Sequence, residues 1–278
     1  MRKKIIVNLI GGVGNQMFQY ALGYALARKL GAVLYCDISA YKEYKIRNFE
    51  LKKFKSEIKI ALEEDVLELC KKRFWGRTKF SEKSLKFNSR FLKIKSSAYL
   101  KGYFQSEKYF LDVKDEILDL FSFSDLNFIQ NRDLLNEIKK TNSVSINLRL
   151  CEYVNNPEVA KIHYVCTKKY YENALTEIKK RVEKPKFFVF SDDIEASREY
   201  LPDDIDFVYC DTANWQEDLY FMQNCKHNIV ANSSFSWWAA YLNQNPQKIV
   251  VAPKKWFADG SKKDYRDIVP KSWIKVKT

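Results

Sequence analysis

The chain has 278 residues, with 48 Lys+Arg against 35 Asp+Glu for a formal net charge of +13, and 46% of its residues are hydrophobic. That apolar fraction excludes intrinsic disorder, and only eight glycines and six prolines exclude collagenous and low-complexity chains. The length suits one large or two ordinary domains, each able to bury its own core.

The basic start Met1-Arg2-Lys3-Lys4 runs into Ile5-Ile6-Val7, but Asn8 and the glycines at Gly11, Gly12 and Gly14 break the apolar stretch that a secretory signal needs. A first strand is expected instead. After Gly11-Gly12-Val13-Gly14-Asn15, the residues Phe18, Ala21, Leu22, Ala25, Leu26 and Leu30 recur at helical spacing, Gly31 supplies a helix stop, and Ala32 to Cys36 reads as a second strand ending at Asp37. The polar and aromatic stretch 40–100 yields one helix, near Glu63 to Arg73. From Ser143, alternation of Val144, Ile146, Leu148 and Leu150 predicts a strand, and Tyr170 to Arg181 a helix. The continuous run Phe187-Phe188-Val189-Phe190 predicts a strand buried on both faces. It leads through Ser191-Asp192-Asp193 into a helix reaching Tyr200, then strand Phe207 to Tyr209, a helix from Asp218 to Cys225, and strands at Ile229 to Ala231 and Ile249 to Val251. Repeated alternation of this kind predicts an α/β protein with parallel sheets, here two Rossmann-like domains facing each other, 1–140 and 141–278. No apolar run approaches the length of a membrane span. The six scattered cysteines (Cys36, Cys70, Cys151, Cys166, Cys210, Cys225) are expected as reduced thiols in a cytosol.

In open α/β sheets ligands bind beyond the carboxyl ends of the strands. Gly12 and Gly14 meet part of the dinucleotide fingerprint, with Met17 at its third glycine and Asp37 as a candidate ribose-binding acid; the alternative is a tight turn. Asn232-Ser233-Ser234-Phe235 follows a strand and opens a helix, so it is either a helix cap or a cradle for a diphosphate. Asp192 and Asp193 are placed either to grip a nucleoside or to cap the next helix. Arg149 alternates with Leu148 and Leu150, which turns its guanidinium toward the cleft, and a guanidinium matches phosphate oxygens. Glu152, just beyond, is a candidate general base or an ordinary surface acid. His163 and His227 stand apart, and Asp204-Ile205-Asp206 follows Pro202 in a charged turn, so no metal site is expected. The charge admits nucleic acid, an anionic membrane surface or small anionic substrates. Lysines spread in pairs such as Lys52-Lys53 and Lys168-Lys169, with no binding module, speak against nucleic acid.

Several blocks together resemble glycosyltransferase family 11, the α-1,2-fucosyltransferases: Gly11 to Ala21 including Asn15, Gln16, Met17 and Phe18; Gly102-Tyr103-Phe104-Gln105-Ser106-Glu107; Phe190 to Ile194; Cys225 to Trp238; and Ala252 to Phe257. The resemblance implies a two-domain GT-B fold, GDP-L-fucose as donor, no metal, and inverting transfer to the 2-hydroxyl of a galactose residue. It further implies that Arg149, Gly14, Asn15, Ser233, Ser234 and Phe235 embrace the diphosphate, that Asp192 or Asp193 holds the nucleoside, and that the amino-terminal domain takes the acceptor. A surface-glycan acceptor, lipid-linked at the cytoplasmic face of an inner membrane, would give the positive charge a purpose. One block departs from the family pattern His-x-Arg-Arg-Gly-Asp-Tyr: the chain reads Asn147-Leu148-Arg149-Leu150-Cys151-Glu152-Tyr153. Loss of a cation beside a diphosphate leaves either compensation, for example by Lys254 or Lys255, or a changed donor or acceptor. The alternatives are the same fold with another nucleotide sugar, a non-catalytic glycan- or nucleotide-binding protein, and a dinucleotide-dependent oxidoreductase.

Overall fold

The structure is a computed structural model that describes residues 2–42, 47–71, 78–150, 166–258 and 264–278. The chain forms two compact units, Met1–Ser124 with Asp264–Pro270, and Asp125–Lys263 with Lys271–Thr278. The division thus falls before the expected 140/141, and the carboxyl-terminal stretch contributes to both units. The reason is local. Helix α4 (Arg132–Lys140) buries Leu134, Leu135 and Ile138 and belongs with the second unit. Asp267 returns to the first, where it accepts the Phe87 N–H at 3.0 Å and pairs with Lys108.

The first unit holds a four-stranded parallel sheet of β1 (Lys4–Asn8), β2 (Val33–Asp37), β3 (Lys79–Ser81) and β4 (Ala98–Lys101), in the order β2-β1-β4-β3. Helix α1 (Val13–Leu30) follows β1 and ends as expected at Gly31, whose φ of 59° lets its N–H reach the Ala27 and Arg28 carbonyls. Helix α2 (Glu63–Cys70) opens on Glu63, Glu64 and Asp65, three carboxylates set against the positive end of its dipole. It stops at Cys70, short of the expected end; Arg73 lies outside the described residues. Helix α3 (Lys114–Leu120) completes the unit.

The second unit holds six parallel strands: β5 (Ser143–Leu148), β6 (Lys186–Ser191), β7 (Phe207–Tyr209), β8 (His227–Ile229), β9 (Val250–Pro253) and β10 (Ile274–Val276). Their order, β10-β9-β8-β5-β6-β7, is the Rossmann order read from one edge, with β5, the first of them in the sequence, flanked by β6 and β8. Helices α5 (Lys168–Lys179), α6 (Ile194–Ser197), α7 (Trp215–Asn224) and α8 (Ser234–Leu242) join them. Among the described residues, each α-helix of this unit starts at a side-chain cap: Asn131, Thr167, Asp193, Asn214 and Ser233 accept first-turn N–H groups. Val144, Ile146 and Leu148 pack on Tyr170, Tyr171, Ala174 and Leu175 of α5. On the other face Asn228 bonds Ser145 at 2.7 Å and the Met222 carbonyl at 2.8 Å, and takes a bond from Asn243 at 2.8 Å, which ties β5, β8, α7 and α8 together. Trp237 stacks on Tyr241 at 4.7 Å, so the paired tryptophans of the Cys225–Trp238 block are core.

Candidate active site

The Rossmann order places a switch point between β5 and β8, where connections leave the sheet in opposite directions and open a crevice at the strands' carboxyl ends. Arg149 follows β5 there and Asn232-Ser233-Ser234-Phe235 follows β8. Leu148 and Leu150 are buried at 0% and 3%, while the Arg149 side chain between them is 26% exposed, which is the alternation expected of it. Its guanidinium meets the Asp192 carboxylate at 2.9 Å, and the other Asp192 oxygen accepts the Leu150 N–H at 2.7 Å. Asp192 therefore grips two consecutive residues beyond β5 and aims the arginine. Asp193 caps α6 by accepting the Ala196 N–H at 3.0 Å, the structural alternative raised for it.

Ser233 caps α8, its Oγ accepting the Phe235 N–H at 3.3 Å, and Ser234 is the first helical residue. Asn232 is buried, donating to the Trp256 carbonyl at 3.0 Å and accepting from the Cys166 thiol at 3.4 Å. The Ala252–Phe257 block thus fixes the loop that carries the two serines. Phe235 is half-buried and meets the half-buried Trp215 edge-on, with ring centroids 6.5 Å apart. Asn147, in place of the family's histidine, donates to the Phe190 carbonyl at 3.3 Å; its buried Oδ1 has no partner among the described residues. Glu152 lies outside the described residues, as do Cys151, Tyr153 and His163.

Sequence reasoning missed Trp215 and Asp218. Burial pushes the Asp218 carboxyl up to about 6 although the Thr212 hydroxyl donates to it at 2.5 Å; Glu217 and Asp192 push the same way. The signal was Asn214, whose cap starts the helix at Trp215 and not at Asp218 as expected. Glu217 is structural, since it accepts the N–H groups of Gln130, Asn131 and Ala213 beside an open groove of about 510 Å³.

The remaining candidates lie in the first unit, whose switch point falls between β1 and β4. Gly11 has φ 78°, and Gly12 caps α1 without a side-chain hydrogen bond. A Cβ on Gly12 would stand 3.7 Å from the Arg47 Nε, so a cation overlies the turn that carries Gly12 and Gly14. Asn15 accepts from Gln105 at 2.7 Å, which joins the turn to the Gly102–Glu107 block. Gln16 is fully buried and spans to the 48–50 segment, donating to the Gly11 and Asn48 carbonyls and accepting the Glu50 N–H. Asp37 is turned inward. Burial alone would raise its carboxyl, but bonds from Tyr99 at 2.7 Å, Ser39 at 2.9 Å and Asn8 at 3.3 Å outweigh that and hold it below the usual range. An acid so occupied is not offered to a ribose, which removes the main support for an oxidoreductase.

Asp204 and Asp206 are exposed in a turn, and His227 is a core histidine accepting the Ile249 N–H at 3.0 Å. Among the described residues no group of three or more His, Cys, Asp or Glu could hold a metal ion, and no helix is long and apolar enough to cross a membrane.

Two parallel α/β units, each with its loops gathered at a switch point, define the architecture of GT-B glycosyltransferases. The sequence profile of glycosyl transferase family 11 matches residues 1–277, and the chain belongs to that family. It is 34% identical to an alpha-1,2-colitosyltransferase of Escherichia coli over 98% of each chain. It is 31% identical to the Escherichia coli O-antigen biosynthesis glycosyltransferase WbnK over 96% of this chain and 99% of that one. Solved structures share the fold: Arabidopsis thaliana FUT1 in complex with GDP, at TM-score 0.51 and 10% identity over 91% of this chain and 70% of that one. The NodZ alpha-1,6-fucosyltransferase co-crystallized with GDP matches at TM-score 0.50 and 14% identity over 86% and 92%. The protein is a fucosyltransferase-like glycosyltransferase.

Proposed function

We propose that the protein transfers L-fucose from GDP-L-fucose to the 2-hydroxyl of a galactose residue in a surface-glycan acceptor, with inversion. The observation that carries this reading is the β5/β8 switch point, where Arg149, aimed by Asp192, stands with the capped start of α8. Inverting transfer is one displacement: the acceptor hydroxyl oxygen bonds the anomeric carbon as the bond to the diphosphate breaks, the electron pair leaves on GDP, and the hydroxyl proton passes to a general base, the role proposed for Glu152. Charge therefore builds on the leaving diphosphate, and fixed donors aimed there lower the barrier. Arg149 supplies the cation, while Ser233, Ser234 and the first N–H groups of α8 supply hydrogen bonds. The half-buried Phe235 and Trp215 offer apolar faces to the nucleoside. We place the acceptor on the first unit, lipid-linked at the cytoplasmic face of the inner membrane, where the +13 charge favours an anionic surface. With Arg149 and the α8 N–H groups as the donors to the diphosphate, the reading calls for no divalent ion.

The test is GDP release from GDP-L-fucose with a β-galactoside, with and without EDTA, and NMR assignment of the product linkage. An α-1,2 product formed equally in EDTA is expected; no transfer, or transfer only with added metal, contradicts the reading. A second donor has a specific motive, the relative named for colitosyl transfer and Leu150 where the family has its second arginine. Faster turnover with a colitosyl donor than with GDP-L-fucose in the same assay would favour it.

A further inference from the structure

The turn Gly102–Ser106 beyond β4 has features that the donor contacts do not use. Phe104 lies in the left-handed region with φ 53°, its ring fully buried 5.0 Å from Phe91 and 5.8 Å from Tyr109. A bulky side chain rarely adopts that backbone, and such residues persist only when their surroundings over-determine them. The determinant here is Glu82, one residue past β3. Its carboxylate accepts the Tyr103 N–H at 2.7 Å and the Phe104 N–H at 3.1 and 3.2 Å. A Cβ on Gly102 would fall 2.4 Å from the Glu82 Cβ, so only glycine admits this approach. Behind the turn, Gln19 donates to the Gly102 carbonyl at 3.0 Å and accepts the Ile10 N–H at 3.0 Å. Ahead of it, Gln105 reaches Asn15. The turn is thus pinned across the β1/β4 switch point, and Tyr103 stands 39% exposed at its tip.

We propose that Glu82 is a positioning residue of the acceptor subsite: by holding the N–H groups of Tyr103 and Phe104 it presents the Tyr103 ring to the galactose residue of the acceptor. This rests on the transferase reading above. An exposed tyrosine at the carboxyl end of a parallel strand has an apolar face for the C–H face of a hexose and a hydroxyl for its polar edge. Burial pushes the Glu82 carboxyl up to about 7 in spite of the two N–H groups, so its charge changes near neutrality. The titratable group facing it is the Tyr109 hydroxyl, which burial holds above its ordinary range; Lys83 and Lys101 are exposed, and Lys108 pairs with Asp267. Protonation turns one accepting oxygen into an O–H and loosens the turn.

The experiment is steady-state kinetics on the full chain with GDP-L-fucose and a β-galactoside between about pH 6 and 8.5, with GDP titration and amide exchange at Tyr103 and Phe104. The wild-type acceptor KM is expected to rise severalfold as pH falls through about 7, with a lower exchange protection factor at Phe104. Glu82→Gln, neutral throughout, is expected to show an acceptor KM about tenfold higher without the pH step, and unchanged GDP affinity. Tyr103→Ala is expected to raise acceptor KM about as much while folding normally. An unchanged acceptor KM in both variants overturns the proposal, as does a Glu82→Gln variant that loses kcat with KM intact. Where Glu82→Gln fails to fold, Tyr103→Ala and the wild-type protection factors decide, and protection that is flat across neutrality overturns it. A wild type that transfers nothing to any galactoside sinks the transferase reading, while the exchange profile still tests the hold of Glu82 on the turn.

Discussion

Arg149 and Asp192 act as one device, because the carboxylate that pairs with the guanidinium also holds the backbone one residue on. Arg149→Ala is expected to lower kcat/KM about 10- to 100-fold, the effect of one charge-assisted contact at ~1.5 to 3 kcal/mol, with little change in melting temperature. Arg149→Lys recovers only part of that, since an ammonium lacks the planar fork. Asp218 makes a pH prediction. Its carboxyl stands at about 6 in the fold against 3.8 ordinarily, so the folded state holds the proton more tightly. The stability this contributes is full below about 3.8 and lost as pH rises through about 6. Thermal melts of Asp218→Asn should therefore fall less between pH 4 and 7 than wild type; an unchanged fall contradicts the assignment. At this scale the sequence made the exposure of the Arg149 side chain legible, because a cation between two apolar residues in extended chain faces away from the core they enter. The hydrogen-bond partners of Asp192 and Asn15, the Leu150 N–H and Gln105, were not legible, since they come from distant chain.

Elements were readable where period and punctuation agreed. The run Lys4–Asp37, with glycine at both ends of α1, and the apolar Phe187–Phe190 strand took the expected form. Strands β3, β4 and β10 were not readable, because three or four residues are too few to show alternation and, unlike the equally short β7, β8 and β9, they lie outside the run of alternating strand and helix signals that marks the second unit. Caps were undervalued in the same way. Asn131, Thr167 and Asn214 start helices that hydrophobic period alone placed late or missed. Ser233→Ala removes the α8 cap and is expected to cost about 1 kcal/mol, a melting shift of roughly 2 to 4 °C by calorimetry. Gly102→Ala must displace the Glu82 Cβ. It is expected to destabilise the first unit by about 1 to 3 kcal/mol and to raise acceptor KM, and a neutral result in chemical denaturation would contradict the packing described.

At the scale of the molecule, the alternation of strands and helices made the α/β class legible, while strand order could not be read from sequence because pairing joins strands far apart in the chain. That order is what gives the chemistry its place: β5 and β8 part at the switch point, and the motif residues of the second unit follow those two strands. The domain boundary was misplaced because α4 reads the same whichever sheet it covers, and because Asp267 draws a late segment back to the first unit. The central claim is that the second unit is built for a guanosine diphosphate sugar. Calorimetric titration of the purified chain with GDP, UDP and dTDP, without added metal, tests it most directly. Binding of GDP at least about tenfold tighter than of the other two, weakened about tenfold or more in Arg149→Ala, is the predicted result. Preference for a uracil or thymine nucleotide, or GDP binding indifferent to Arg149, would contradict it.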